Sequence, residues 1–130
     1  MVVFDSDVLI DFLKKVPYAV EKINRLRNEN THLATTAINT FEIHKGAIRT
    51  GNARAVESLN QLLHHLKVYS FNFNSSKKAA EIFEHLKNKG EALDLADIMI
   101  ASIVIANDET LLTRNIRHFN RIPELKIEKI

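Results

Sequence analysis

Apolar positions along this chain recur in two rhythms. Residues 1–4 are apolar without a break and include two β-branched valines, as in a short strand buried on both faces. Asp5, Ser6 and Asp7 interrupt the run, and residues 8–13 resume it as an apolar stripe broken only by Asp11. The pattern predicts a central strand, an acidic turn and the first turns of a helix. Val16-Pro17 is a boundary, because the residue before proline is pushed out of the helical region and proline itself can open a helix. A helix over 18–28 follows, with Val20, Ile23 and Leu26 on one side. Residues 32–35 read as a second strand. Thr35 or Thr36 can cap a helix over 37–49 with Ile38, Phe41, Ile43 and Ile48 as its buried side, and Gly46 in it predicts close packing or a bend.

The break at Gly51-Asn52 leads into a helix over 53–65 with Val56, Leu59, Leu62, Leu63 and Leu66 on one face. Residues 67–73 alternate as a strand. Asn74 to Ser76 then cap a helix over 77–89, whose inner residues are Ala79, Ala80, Ile82, Phe83 and Leu86 and whose stop is Gly90. Residues 93–107 form the most apolar helix, 111–113 a short strand, 114–119 a polar loop or turn, and 125–130 an edge strand. Strands and helices alternate without a repeat or linker. The predicted fold is a three-layer α/β/α sandwich with a mainly parallel central sheet, in one domain over 1–130.

Composition narrows the chemistry. The chain has 130 residues, 45% of them hydrophobic, and no cysteine, which excludes disulfides, thiolate metal sites and a cysteine nucleophile. No signal peptide is expected. The longest apolar segment elsewhere, 98–106, is far short of a membrane span. The expectation is a cytoplasmic protein without a membrane partner. A net charge of +2 is mildly basic, compatible with a nucleic-acid partner. Most of the seven phenylalanines fall on apolar stripes, which leaves little for a stacking platform. Three glycines cannot build a phosphate loop, His64 and His65 read as surface residues, and His32 and His44 lack zinc-ligand spacing.

Acids remain. Asp5, Ser6 or Asp7 can cap the first helix, which accounts for one such residue but not for a second acid beside it. Acids at the C-terminal end of an interior strand stand where open α/β sheets carry their chemistry. Glu42 borders the apolar side of its helix. Asp94 and Asp97 fall in the first turns of the most apolar helix, where Asp94 reads as a cap, and Leu95, Ala96, Ile98 and Met99 surround Asp97. Clustered carboxylates repel unless a hard divalent cation sits among them. Mg²⁺ or Mn²⁺ would keep waters, one of which can attack a phosphodiester, while Ser6, Thr113 and Asn115 hold waters or orient ligands.

The blocks VVFDSDVLIDFL, TTAINTFEIHKGA, LDLADIMIASIVI and LLTRNIRHF, in this order and spacing, resemble the PIN-domain family, and more narrowly the VapC-type ribonuclease toxins of toxin–antitoxin pairs. The resemblance covers practically the whole chain. It implies that Asp5, Glu42 and Asp97 are the first three catalytic acids and metal ligands. Asn115 stands in the family's fourth position, and His118 where an aspartate is frequent. No carboxylate occurs in 114–118, which puts a second metal ion in doubt and makes Asp7 and Asp94 the candidate substitutes. The resemblance further implies Mg²⁺- or Mn²⁺-dependent cleavage of RNA to 5′-phosphate and 3′-hydroxyl ends, a homodimer, and a small antitoxin whose C-terminal segment occupies the groove near the acids. Arg114, Arg117, Lys14, Lys45 and Arg49 are candidate contacts to RNA phosphates. The apolar faces over 18–26 and 56–66 serve either as core or as dimer or antitoxin surfaces. Two rival readings stand beside the nuclease: a catalytically weak or inactive RNA-binding or regulatory module, and a small phosphatase with an acidic strand end.

Overall fold

The computed structural model describes residues 2–130; the start of the first predicted strand at Met1 lies outside them. Twelve elements follow in order: β1 (Val2–Phe4), α1 (Ser6–Leu13), α2 (Pro17–Asn28), β2 (Leu33–Thr36), α3 (Ala37–Arg49), α4 (Ala53–His64), β3 (Lys67–Tyr69), α5 (Phe73–Asn88), α6 (Leu95–Ala106), β4 (Thr110–Leu112), α7 (Ile116–Phe119) and β5 (Lys126–Glu128). The five strands form one sheet in the order β3-β2-β1-β4-β5, with every pairing parallel. β1 is central, so its residues are buried from both faces, as the unbroken apolar run required.

Side chains alternate across the sheet. Val2 and Phe4, with Leu112, join Val8 and Leu9 of α1, Ile23 and Leu26 of α2, Ile43 of α3 and Leu59 and Leu62 of α4 in one core. Val3 and Leu111 point the other way, into a core with Ile82 and Leu86 of α5 and Ile98, Ile100, Ala101, Ile103 and Val104 of α6. These are the three predicted layers. The inward residues over 18–26 and 56–66 are spent on the first core.

Three expectations change. The predicted strand over 67–73 ends at Tyr69, and α5 starts at Phe73, capped by Asn72 and not by 74–76. Asn72 Oδ1 accepts the Ser75 N–H at 3.0 Å, and Ser75 Oγ accepts the Asn72 N–H at 2.7 Å. That local pairing offers the backbone an alternative to the ladder and overrides the aromatic alternation. Second, Phe41, Ile48 and Phe83, expected inside, are exposed, as are Phe71 and Phe73. Third, a Cβ on Gly46 would meet nothing within 4 Å, so the glycine is not required by close packing, and α3 runs through it unbroken.

Two stability measurements check this assignment. Asn72→Ala should cost about 1 kcal/mol in denaturant unfolding, while Asn74→Ala costs only a few tenths. Gly46→Ala should raise stability by roughly 0.5–1 kcal/mol, since the helix gains propensity and no neighbour is displaced.

Candidate active site

A parallel sheet brings the C-terminal ends of its strands to one edge, and the polar residues that follow β1, β2 and β4 meet there. Asp5 leaves β1 and is the N-cap of α1. Its Oδ1 accepts the Ser6 N–H at 2.8 Å and the Asn39 Nδ2 amide at 3.0 Å, and its Oδ2 accepts the Thr113 hydroxyl at 2.7 Å. Asp5 therefore serves as the cap and also stands in the candidate site. Thr113 in turn accepts the Asn115 N–H at 2.9 Å. Asp5 is 6% exposed. Burial pushes its carboxyl up to about 6, helped by the charges of Asp7 and Asp97 and opposed by the hydrogen bonds from Thr113 and Ser6.

Asn39, fully buried on α3, connects Asp5 to Glu42. Its Oδ1 accepts the Thr36 hydroxyl at 2.7 Å, and its amide also donates to Ser6 Oγ at 2.9 Å. Ser6 then donates to Glu42 Oε1 at 2.8 Å. Every hydrogen in this chain of bonds has one direction, so Glu42 is oriented from Thr36 through Asn39 and Ser6. Sequence reasoning passed over Asn39. The available signal was a polar residue three positions after a helix cap, within an apolar stripe.

Asp97 lies in the first turn of α6, half-buried, with Oδ2 3.3 Å from His118 Nδ1. His118 Nδ1 is also 2.8 Å from Asn115 Nδ2. Burial raises the Asp97 carboxyl, His118 eases it, and Asp94 and Asp7 raise it further. Asp94 occupies the N-cap position of α6 but is exposed and makes no capping hydrogen bond. Asp7 Oδ2 accepts the Arg114 N–H at 3.1 Å, whereas its Oδ1 is buried without a partner. Burial raises Asp7 as well.

The structure thus joins Asp5, Ser6, Glu42 and Thr113 by hydrogen bonds, gathers Asp97, Asn115 and His118 beside them, and sets Asp7 within electrostatic reach of Asp5 and Asp97. Among the described residues, no three His, Asp or Glu side chains converge as a ready-made metal cluster. Glu42 is turned onto Ser6, and both Asp5 oxygens hold donors. Among the candidate phosphate contacts, Lys14, Lys45, Arg49, Arg114 and Arg117 are exposed, and the Lys45 ammonium lies 5.5 Å from the centre of the Phe41 ring. No helix among the described residues is long and apolar enough to cross a membrane.

Residues 2–125 match the PIN domain family. Ribonuclease VapC2 of Rickettsia felis is 28% identical over 125 residues, covering 95% of this chain and 93% of that protein. Ribonuclease VapC10 of Mycobacterium tuberculosis is 29% identical over 126 residues, covering 97% and 91%. Among solved structures, VapBC2 from Rickettsia felis bound to a promoter DNA fragment superposes with a TM-score of 0.89 at 24% identity, over 100% of this chain and 99% of that one. DNA-bound VapBC from Salmonella typhimurium gives 0.88 at 22% identity, over 98% and 96%. At these identities the structures speak for the fold, and the family match over nearly the whole length does the rest: the chain belongs to the PIN-domain family and closely resembles the VapC toxins of type II toxin–antitoxin systems.

Proposed function

We propose that this protein is a Mg²⁺- or Mn²⁺-dependent endoribonuclease and the toxin of a toxin–antitoxin pair. The observation that carries the reading is Asp5: a buried carboxylate at the end of the central strand, with its charged form disfavoured by burial and by two neighbouring acids. The acids that could ligate an ion offer only carboxylate oxygens, and one of these, Asp7 Oδ1, is buried without a partner. That chemistry fits a hard divalent cation. Asp5, Asp97 and Glu42 are the residues that would hold it. When bound, the ion would lower the pKa of a coordinated water and neutralise charge on the scissile phosphate.

The chain's own groups supply the rest. Glu42 engages one carboxylate oxygen with Ser6 and makes no other hydrogen bond among the described residues, which leaves it able to take a proton from an attacking water. Attack on phosphorus with breakage of the P–O3′ bond leaves a 5′-phosphate, and the departing 3′-oxygen takes up a proton. Thr113 and Asn115 brace the far side of Asp5. The antitoxin segment would lie in a groove of about 500 Å³ that reaches Glu42 and is lined by Ile10, Leu13, Ile43, Ala47 and Leu59. Phe41 and Ile48 of α3 and Phe73 and Phe83 of α5 are exposed apolar side chains that a homodimer contact would cover.

Two experiments test this reading. Purified antitoxin-free protein should cut total RNA into discrete fragments with Mg²⁺ or Mn²⁺ and not with EDTA. Asp97→Asn should slow cleavage on the order of 100-fold or more. RNA binding without turnover under any ion would instead favour the inactive module, which the missing acid in 114–118 makes the second reading.

The second experiment reads stability. The folded carboxyl of Asp5, at about 6, lies above its ordinary value of 3.8, so its contribution is intact below pH 4 and is lost as pH rises through 6. The difference is on the order of 2–3 kcal/mol. In EDTA, the wild type should therefore lose stability over that range relative to Asp5→Asn, and be the less stable of the two at neutral pH. Mn²⁺ should raise the Tm of the wild type but not of the variant. Parallel melting curves across pH, with equal response to Mn²⁺, would count against Asp5 as the ion's ligand.

A further inference from the structure

Asp11 and Tyr18 take no part in the carboxylate cluster, yet both converge on the residue that follows Thr113. Asp7 and Asp11 stand one turn apart on α1 and share a side of it. Asp7 takes the Arg114 backbone N–H, and Asp11 Oδ2 lies 2.9 Å from Arg114 Nε. The Tyr18 hydroxyl, from the first turn of α2, donates to the same Asp11 oxygen. The two ends of the ion pair differ. The Asp11 side chain is 13% exposed and that of Arg114 is 52% exposed. Asp11 approaches the guanidinium at Nε, and neither terminal nitrogen makes a hydrogen bond among the described residues.

We propose that Asp11 and Tyr18 are positioning residues that hold Arg114 as a pre-formed clamp for an RNA phosphate at the rim of the active site. This rests on the ribonuclease reading and adds to it how the substrate backbone is gripped. A planar guanidinium matches a phosphate with two parallel N–H groups, and fixing the long side chain beforehand removes ordering entropy that binding would otherwise cost. The anchor is what separates Arg114 from Arg117, which is also exposed but pairs with no acid among the described residues.

The test is binding of a fluorescein-labelled single-stranded RNA of mixed sequence, followed by anisotropy in EDTA across a NaCl series. Wild type, Arg114→Gln, Asp11→Asn and Tyr18→Phe are compared, each with a melting curve. Arg114→Gln should weaken binding and reduce the dependence of log K on log salt by about 0.7, the share of one phosphate on a single strand. Asp11→Asn and Tyr18→Phe keep the arginine charge, so the salt dependence should stay while affinity falls about two- to tenfold. The sign for Asp11→Asn is decisive, because removing an acid near the site would tighten RNA binding on charge alone. Tyr18→Phe loses one hydroxyl and serves if Asp11→Asn does not fold. An unchanged salt dependence for Arg114→Gln, or RNA binding by folded Asp11→Asn or Tyr18→Phe as tight as wild type, overturns the clamp and leaves the nuclease intact. A wild type that binds no RNA in EDTA overturns the clamp, whereas the nuclease reading is decided by cleavage with Mg²⁺ or Mn²⁺.

Discussion

Asp5 sits under the end of β1 with almost no access to water, and a carboxylate there must find donors or give up its charge. It finds three: the next backbone N–H, the Asn39 amide and the Thr113 hydroxyl. Each comes from a different segment. Ser6 opens α1, Asn39 belongs to the helix after β2, and Thr113 follows β4. The parallel pairing of β1 with both β2 and β4 is what brings these segments to one edge. Had either neighbour run antiparallel, its following loop would lie at the opposite edge, and Asp5 would lose a donor. The sheet topology and the Asp5 environment are therefore one constraint seen at two scales.

The donors do not fully offset burial and like charge, since the Asp5 carboxyl remains raised. Asp97 and Asp7 are raised for the same leading reason. At all three acids burial disfavours the charged form, a cost that the divalent cation proposed above would relieve. The Thr36–Asn39–Ser6–Glu42 chain of hydrogen bonds adds order to the site. Glu42 is kept in a defined orientation by neutral donors, without a further positive charge that would compete with a metal.

Much of this could be read from the residues in order. The apolar run at 1–4 and the segment 98–106, polar only at Ser102, marked the central strand and the central helix because burial on both sides leaves little room for polar positions. Asp5 and Asp97 were legible because acids in such company are costly. The Asn72 cap was hidden behind the alternation of Tyr69, Phe71 and Phe73, a pattern that a strand and an exposed helix start share. Phe41, Ile48 and Phe83 carried the spacing of a buried stripe, but α3 and α5 each cover the sheet with only part of that stripe. Asn39 looked like any polar residue on a helix. The pairing of Asp11 with Arg114 could not be read at all, because it depends on β4 lying beside β1 and not on any local pattern.

A cluster of acids is an awkward place to receive a polyanion. At close range in a partly buried site, carboxylate–phosphate repulsion amounts to several kcal/mol before any screening by salt. Two features of this chain answer it in different places. The cation proposed among Asp5, Asp97 and Glu42 would offset their charge at the scissile phosphate. The guanidinium of Arg114 lies against Asp11 and is half exposed, and its backbone N–H is on Asp7, so the proposed clamp would offer RNA a positive group beside those two acids. The absence of a carboxylate in 114–118 then has a physical consequence: Asn115 and His118 add no further negative charge to the rim.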